Sequence, residues 1–125
     1  MSLLHYRELI AWQKAMRLVS RVYELSDHFP ADEKFGLTSQ IRRAAISVPS
    51  NVAEGQGRDS TKEFVRHLSI AYGSLMEVET QILIGVDLKY LDDETAEVFL
   101  QESAEAGRII NGLMRSLRRK LNTGH

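Results

Sequence analysis

The sequence predicts an all-α protein, an antiparallel up-down-up-down four-helix bundle forming a single domain over residues 1–125. Three observations point there. Apolar residues recur at spacings of three and four in four long stretches, about 3–27, 32–54, 60–87 and 93–121. The breaks between them are short and carry proline, glycine or capping residues, and short links make consecutive helices antiparallel neighbours. Nothing alternates with the period of a strand.

The first helix is read from Leu9, Trp12, Met16, Val19 and Tyr23, a stripe that Leu18, Val22 and Leu25 widen on one side. His28-Phe29-Pro30 ends it, because the residue before a proline is pushed out of the α region. Asp32 is the expected N-cap of the second helix, with Glu33 favourable near its positive end.

In the second helix Leu37, Ile41, Ala44, Val48 and Val52 fall within one arc of roughly 80°, the width of a core-facing stripe. Gln40, Arg43, Ser47, Asn51 and Glu54 form a polar seam about a quarter turn away. Pro49 lies inside the helix, where it forfeits a hydrogen bond at roughly 3 kcal/mol unless the backbone bends, so a kink is expected between Ala45 and Pro49. Gly55-Gln56-Gly57 is expected to supply a left-handed residue that closes the helix.

Ser60-Thr61-Lys62-Glu63 reads as a capping box opening the third helix. Phe64, Leu68, Ala71, Leu75, Val78 and Ile82 make its stripe, flanked by Ser69, Gly73 and Glu77. A mid-helix glycine costs about 1 kcal/mol, so Gly73 is expected to admit a close neighbour. Asp92 or Asp93 caps the fourth helix, whose stripe runs through Phe99, Ser103, Ala106, Ile110, Leu113, Leu117 and Leu121; residues 122–125 are expected to fray.

Composition sets further bounds. The chain has no cysteine, which removes thiol nucleophiles and disulfides and fits a reducing compartment. No apolar run approaches membrane length, so a soluble, cytoplasmic protein is expected. The net charge is only −1 but is unevenly distributed: residues 1–58 hold eight basic and six acidic groups, 59–105 three and eleven, 106–125 five and none. Such an asymmetry fits either an anionic partner or attraction between subunits.

Phe29-Pro30, Glu33, Gly36-Leu37, Gln40-Ile41-Arg42-Arg43-Ala44, Ser47-Val48-Pro49-Ser50-Asn51-Val52-Ala53-Glu54-Gly55 and Ala71-Tyr72-Gly73-Ser74-Leu75-x-Glu77 together resemble the bacterial four-helix-bundle family of 23S ribosomal RNA intervening-sequence proteins. The resemblance covers almost the whole chain. It implies a pentameric ring of bundles with no known enzymatic activity, and kinship with the accessory protein of diversity-generating retroelements, which binds RNA and a reverse transcriptase through basic surface.

The seam could position an anionic substrate through Arg43 and Glu54. A structural role is preferred: Arg43 paired with Glu54 or with Glu77, and Ser47 and Asn51 satisfying the backbone broken at Pro49. A di-iron centre needs Glu-x-x-His pairs, whereas Glu24–His28 and Glu63–His67 are spaced by four, and His5, His28, His67 and His125 read as surface residues. No metal or cofactor is expected. Gly55-Gln56-Gly57-Arg58 lacks the third glycine and the preceding strand of a phosphate loop.

The strongest nucleic-acid signal is the basic tail Arg115, Arg118, Arg119 and Lys120, to which Arg42 and Arg58 are added as phosphate contacts. Cations near a helix C-terminus also complement its dipole, so the tail alone does not decide the question. Without aromatic residues interleaved in the tail, RNA contact is expected to be to backbone or shape. Trp12, Tyr6, Tyr72 and apolar residues off the main stripes, Ile10, Val65, Ile70, Met76, Leu83 and Ile109, fit burial between subunits. The expected function is a non-enzymatic homo-oligomeric scaffold that contacts RNA or a ribonucleoprotein. The alternative is a protein–protein interaction module with no nucleic-acid role, its tail paired with Glu94, Glu97, Glu102 or Glu105 of a neighbouring subunit.

Overall fold

The computed structural model describes residues 5–122. They form four helices, α1 (Ile10–Ser26), α2 (Leu37–Gly57), α3 (Thr61–Asp87) and α4 (Asp93–Asn122), with single 3-10 turns at Tyr6–Glu8 and Ala31–Glu33. Among the described residues there is no strand. Each helix packs on its sequence neighbours and α4 closes onto α1, while the diagonal pairs stand further apart. The contacts run antiparallel: Ser47 meets Ser74 and Asn51 meets His67 between α2 and α3, and Glu79 meets Ser103 between α3 and α4.

The core is the apolar stripe of each helix turned inward. Val22, Ile41, Val48, Val52, Leu68, Leu75, Val78, Ile82, Phe99 and Ile110 are fully enclosed. The α2, α3 and α4 stripes are the predicted ones in their central turns, although Leu113 and Leu117 are only partly covered and Leu121 is exposed. In α1 the buried face is Ala11, Ala15, Leu18, Val22 and Leu25. Of the predicted stripe, Leu9 and the widening Leu18, Val22 and Leu25 are buried, whereas Trp12, Met16, Val19 and Tyr23 lie about a quarter turn away and face outward or half outward. Two alanines weigh little in a hydrophobic pattern, yet they are what fits where helices approach closely.

Several boundaries move for local reasons. The α1 helix starts at Ile10 instead of Leu3, which lies outside the described residues, because Leu9 is extended (φ −75°, ψ 127°) after the first turn. His5 Nδ1 accepts from the Arg7 amide at 3.3 Å and Glu8 Oε1 from the His5 amide at 2.9 Å, holding that turn apart from the helix. Asp32 does not cap α2; it lies in the 3-10 turn, and Glu33 Oε1 accepts from the Leu37 amide at 3.0 Å instead. Glycine at position 36 makes room for that carboxylate, since a Cβ there would lie 2.7 Å from Glu33 Oε1.

The α2 helix also extends three residues beyond the expected Glu54 and ends on Arg58, extended at φ −77°, ψ 148°. The Gly55-Gln56-Gly57 segment is therefore helical and supplies no left-handed closure. Gly55 is instead a packing glycine: a Cβ there would stand 2.7 Å from His67 Cβ and 2.9 Å from the Phe64 ring. Gly73, expected to admit a neighbour, is exposed with nothing within 4 Å of its would-be Cβ. Ser60 Oγ caps α3 by accepting from the Glu63 amide at 3.1 Å, and Asp92 Oδ1 caps α4 by accepting from the Thr95 amide at 2.7 Å. The α3 helix ends with Lys89 in the left-handed region (φ 70°), which lets the Tyr90 amide reach the Gly85 carbonyl at 2.8 Å.

Candidate functional site

The polar seam of α2 faces α3 and joins a matching row there. Ser47 Oγ and Ser74 Oγ are 2.9 Å apart, and Asn51 Nδ2 donates to the Ser47 carbonyl at 2.9 Å and to Ser47 Oγ at 3.1 Å. Asn51 Oδ1 lies 3.0 Å from His67 Nδ1, which is also 3.8 Å from Glu54 Oε1. His67 is thus not a surface residue: it is 5 % exposed. The bare Gly55 surface is what lets its helix come so close. Asn51 takes the Ser47 carbonyl one turn back with its side-chain amide, and not the Ala45 carbonyl that Pro49 leaves without its helical donor.

The expected Arg43 ion pair is absent among the described residues. Arg43 is exposed and lines an open groove with Gln40, Ala44, Ser47, Ser74 and Glu77, but neither Glu54 nor Glu77 lies within 4.0 Å of its guanidinium. Glu77 accepts only a long 3.4 Å bond from Gln81. The inner turns of the seam are therefore spent on one another, and its outer turn is open to water. Among the described residues no three His, Asp or Glu side chains gather closely enough to hold a metal ion.

The charge asymmetry of the sequence becomes an axial polarity of the bundle. The α4 helix ends beside the start of α3 and the end of α2, so Arg115, Arg118, Arg119 and Lys120 share one end of the molecule with Arg58, Lys62 and Arg66. Arg58, Arg115, Arg118 and Arg119 are all exposed. The opposite end gathers Asp27, Asp32, Asp87, Asp92, Asp93 and Glu94. Arg42 lies toward that acidic end and is engaged there. Its Nε donates to Ser26 Oγ at 2.8 Å, its Nη2 to Asp27 Oδ1 at 3.1 Å, and its guanidinium stacks 4.4 Å from the Tyr23 ring centroid. It therefore caps the end of α1 and is not grouped with the basic tail.

At the acidic end a polar tie joins the two inter-helix turns. Tyr90 Oη donates to Glu33 Oε2 at 2.8 Å. The Leu37 amide first, and then the Tyr90 hydroxyl, hold the Glu33 carboxyl below its ordinary range, while that carboxylate raises the Tyr90 phenol. Asp92 is likewise lowered by its cap bond from Thr95.

Two apolar grooves remain on the outside. One, between α1 and α2, is lined by Tyr6, Trp12, Met16, Val19, Ile46 and Pro49 and continues past Tyr23 to Phe35. The other, between α3 and α4, is lined by Leu83, Val86, Ala96 and Leu100. In the square arrangement these are opposite sides of the bundle. Of the residues read as surplus to the core, Ile10, Ile70 and Leu83 are indeed exposed, and Tyr6, Trp12 and Tyr72 are half-buried. Phe35 and Ile46 leave no periodic signal in the sequence, one being an isolated aromatic in a turn and the other an isoleucine off the stripe. No helix among the described residues is long and apolar enough to cross a membrane.

Comparison with known proteins finds both a family model and similar solved structures. The family model described as 23S rRNA-intervening sequence protein matches residues 7–112. The fold is similar to a crystal structure of a protein of unknown function from the S23 ribosomal protein family of Bacteroides thetaiotaomicron, at 21% identity and a TM-score of 0.77, covering 84% of this chain and 98% of that one. A search of curated proteins finds no match.

Proposed function

The chain belongs to the 23S rRNA-intervening sequence protein family, and on that footing we propose that it is a non-enzymatic, homo-oligomeric scaffold holding RNA or a ribonucleoprotein in the cytoplasm. The number of subunits is taken as five, which is what the family resemblance implies. The observation that carries the RNA part is the gathering of Arg58, Arg115, Arg118 and Arg119, all exposed, at one end of the bundle. Each phosphate that they neutralise releases counterions and adds to affinity. In a ring with parallel axes every basic end points to the same side, so weak contacts multiply through effective concentration. Arg42 is left out of the contact set because its guanidinium is committed to Ser26 and Asp27.

The oligomeric part is supported by apolar grooves on opposite sides of the bundle, a feature that an isolated monomer has no reason to keep. A bend of α2 at Pro49, where the ring removes a helix hydrogen bond, sets the angle of the surface against which the next subunit rests. The absence of catalysis is supported by the inner seam, whose Ser47, Asn51 and His67 Nδ1 bond to one another or to Ser74, leaving His67 Nε2 buried without a partner and closed off from solvent.

The test is charge reversal of Arg118 and Arg119 to Glu, followed by native mass spectrometry and RNA binding. The proposal expects an intact oligomer and weakened RNA affinity. Unchanged affinity would overturn the RNA assignment. Dissociation of the oligomer would make the tail a subunit contact and favour the protein-interaction module, with antiparallel neighbours, since Glu94 and Glu97 lie at the opposite end of α4 from the tail and Glu102 and Glu105 are already paired with Arg21 and Lys14.

A further inference from the structure

We propose that copies of this chain join head to tail, the face around Phe35 and Lys34 of one copy seating on the α3–α4 groove between Leu83 and Leu100 of the next. The inference rests on the oligomeric reading above and adds to it the two surfaces, their polarity and their register. It begins with Phe35, which is 88 % exposed in the turn between α1 and α2. A phenylalanine ring left in water forgoes most of what its burial contributes, and the Lys34 ammonium stands 5.5 Å from the ring centroid. The surface continues from Phe35 through Tyr23 and Ile46, both exposed, toward the α1–α2 groove.

The opposite groove has the matching chemistry. Its apolar floor is Leu83, Val86, Ala96 and Leu100, of which Leu83 is exposed. The cations bordering the Phe35 face are Lys34, Arg43 and Arg42, the last already paired with Asp27, whereas the charges bordering the groove are all anionic, Asp93, Glu94 and Glu97. Among the described residues none of those three carboxylates has an ion-pair partner, in contrast to Glu102 and Glu105 further along α4. Complementary charge around complementary apolar surface steers two faces together and fixes their register.

Geometry then selects a second copy as the occupant. Both patches lie at the acidic end of the bundle, the end where Tyr90 bonds to Glu33, and they occupy opposite sides. Two bundles set side by side with parallel axes therefore bring the Phe35 face of one onto the groove of the other at the same height. A contact between unlike patches is heterologous, and a common height lets it close as a ring instead of climbing as a filament.

The chain has no cysteine, so single introduced cysteines report the contact without interference. Lys34→Cys and Glu97→Cys are placed at the rim and leave the apolar surfaces intact. Under mild oxidation a mixture of the two variants should give a crosslinked dimer, and Lys34→Cys alone should give none. Phe35→Asp, at a site too exposed to threaten folding, should keep the helical circular dichroism and raise the dissociation concentration at least about tenfold. An oligomer that ignores Phe35→Asp and gives no mixed crosslink would overturn these surfaces while leaving the oligomeric reading in place. Self-crosslinking of Lys34→Cys would overturn the head-to-tail polarity. A wild-type protein that stays monomeric at every concentration would remove both the oligomeric reading and this contact.

Discussion

Replacing Gly55 with alanine puts the α2–α3 contact under direct strain. Taken alone, the substitution favours the helix by about 1 kcal/mol, because glycine is the costlier residue in a helix interior. The structure opposes that gain three times over. The new Cβ would stand 2.7 Å from His67 Cβ, 2.9 Å from Phe64 Cδ1 and 3.3 Å from the Phe64 carbonyl oxygen. A Cβ and a carbonyl oxygen cannot swing aside as the tip of a flexible side chain can, so α2 and α3 must separate. Overpacking of this kind costs about 1–3 kcal/mol, and with three contacts at once the upper half of that range applies, leaving a net loss of about 1–2 kcal/mol. Gly57, two residues on and with nothing within 4 Å, is the internal control. Its change to alanine should stabilise by up to about 1 kcal/mol. Thermal unfolding followed by circular dichroism, at one fixed protein concentration so that association does not shift the midpoint, should show Gly55→Ala lower by about 4–8 °C and Gly57→Ala at or above wild type. A Gly55→Ala protein as stable as wild type would refute the close-packing argument.

The other structural features yield equally specific outcomes. Asn51→Ala removes the side chain that joins the Ser47 carbonyl to His67, and urea unfolding should show a loss of about 1–3 kcal/mol because buried polar groups are left unpaired. The Glu33 carboxyl, lowered from the ordinary 4.5, contributes stability that is present above that value and is lost as pH falls through its folded pKa. Tyr90, raised from the ordinary 10.0, contributes stability that is complete below that value and is lost as pH rises through its folded pKa. In Tyr90→Phe the carboxyl titration of Glu33, followed by NMR, should move up yet stay below the ordinary value, since the Leu37 amide is the larger cause of its shift. Lys89→Gly relieves a left-handed residue at φ 70° and should raise stability by about 1 kcal/mol in the same urea assay.

The sequence was most legible where large apolar residues recur over many turns. Leu68, Ala71, Leu75, Val78 and Ile82 are buried as their spacing requires, and the polar seam of α2 does face another helix. Small residues misled the reading of α1, where Ala11 and Ala15 face the core and the larger Trp12, Met16 and Tyr23 do not. His67 and Gly55 depart from what the sequence predicts for a shared reason. Each looks like a feature of a helix surface or end when its own helix is considered alone, and only the approach of the second helix turns the pair into a buried contact. Arg42 shows the same limit: its neighbours Ser26 and Asp27 belong to the preceding helix, so its commitment is set by tertiary placement. The tail arginines could be found from charge alone. That Arg58 joins them at one end follows from the antiparallel order of the helices.

The most direct test of the scaffold reading is fluorescence anisotropy of the purified protein with a structured ribosomal RNA fragment, repeated at several salt concentrations. Engagement of the basic end predicts binding whose log affinity falls linearly with log salt, by roughly 0.7–0.9 per phosphate neutralised, and a shallower slope in the Arg118→Glu, Arg119→Glu variant. No binding at low salt, or binding indifferent to salt, would contradict it.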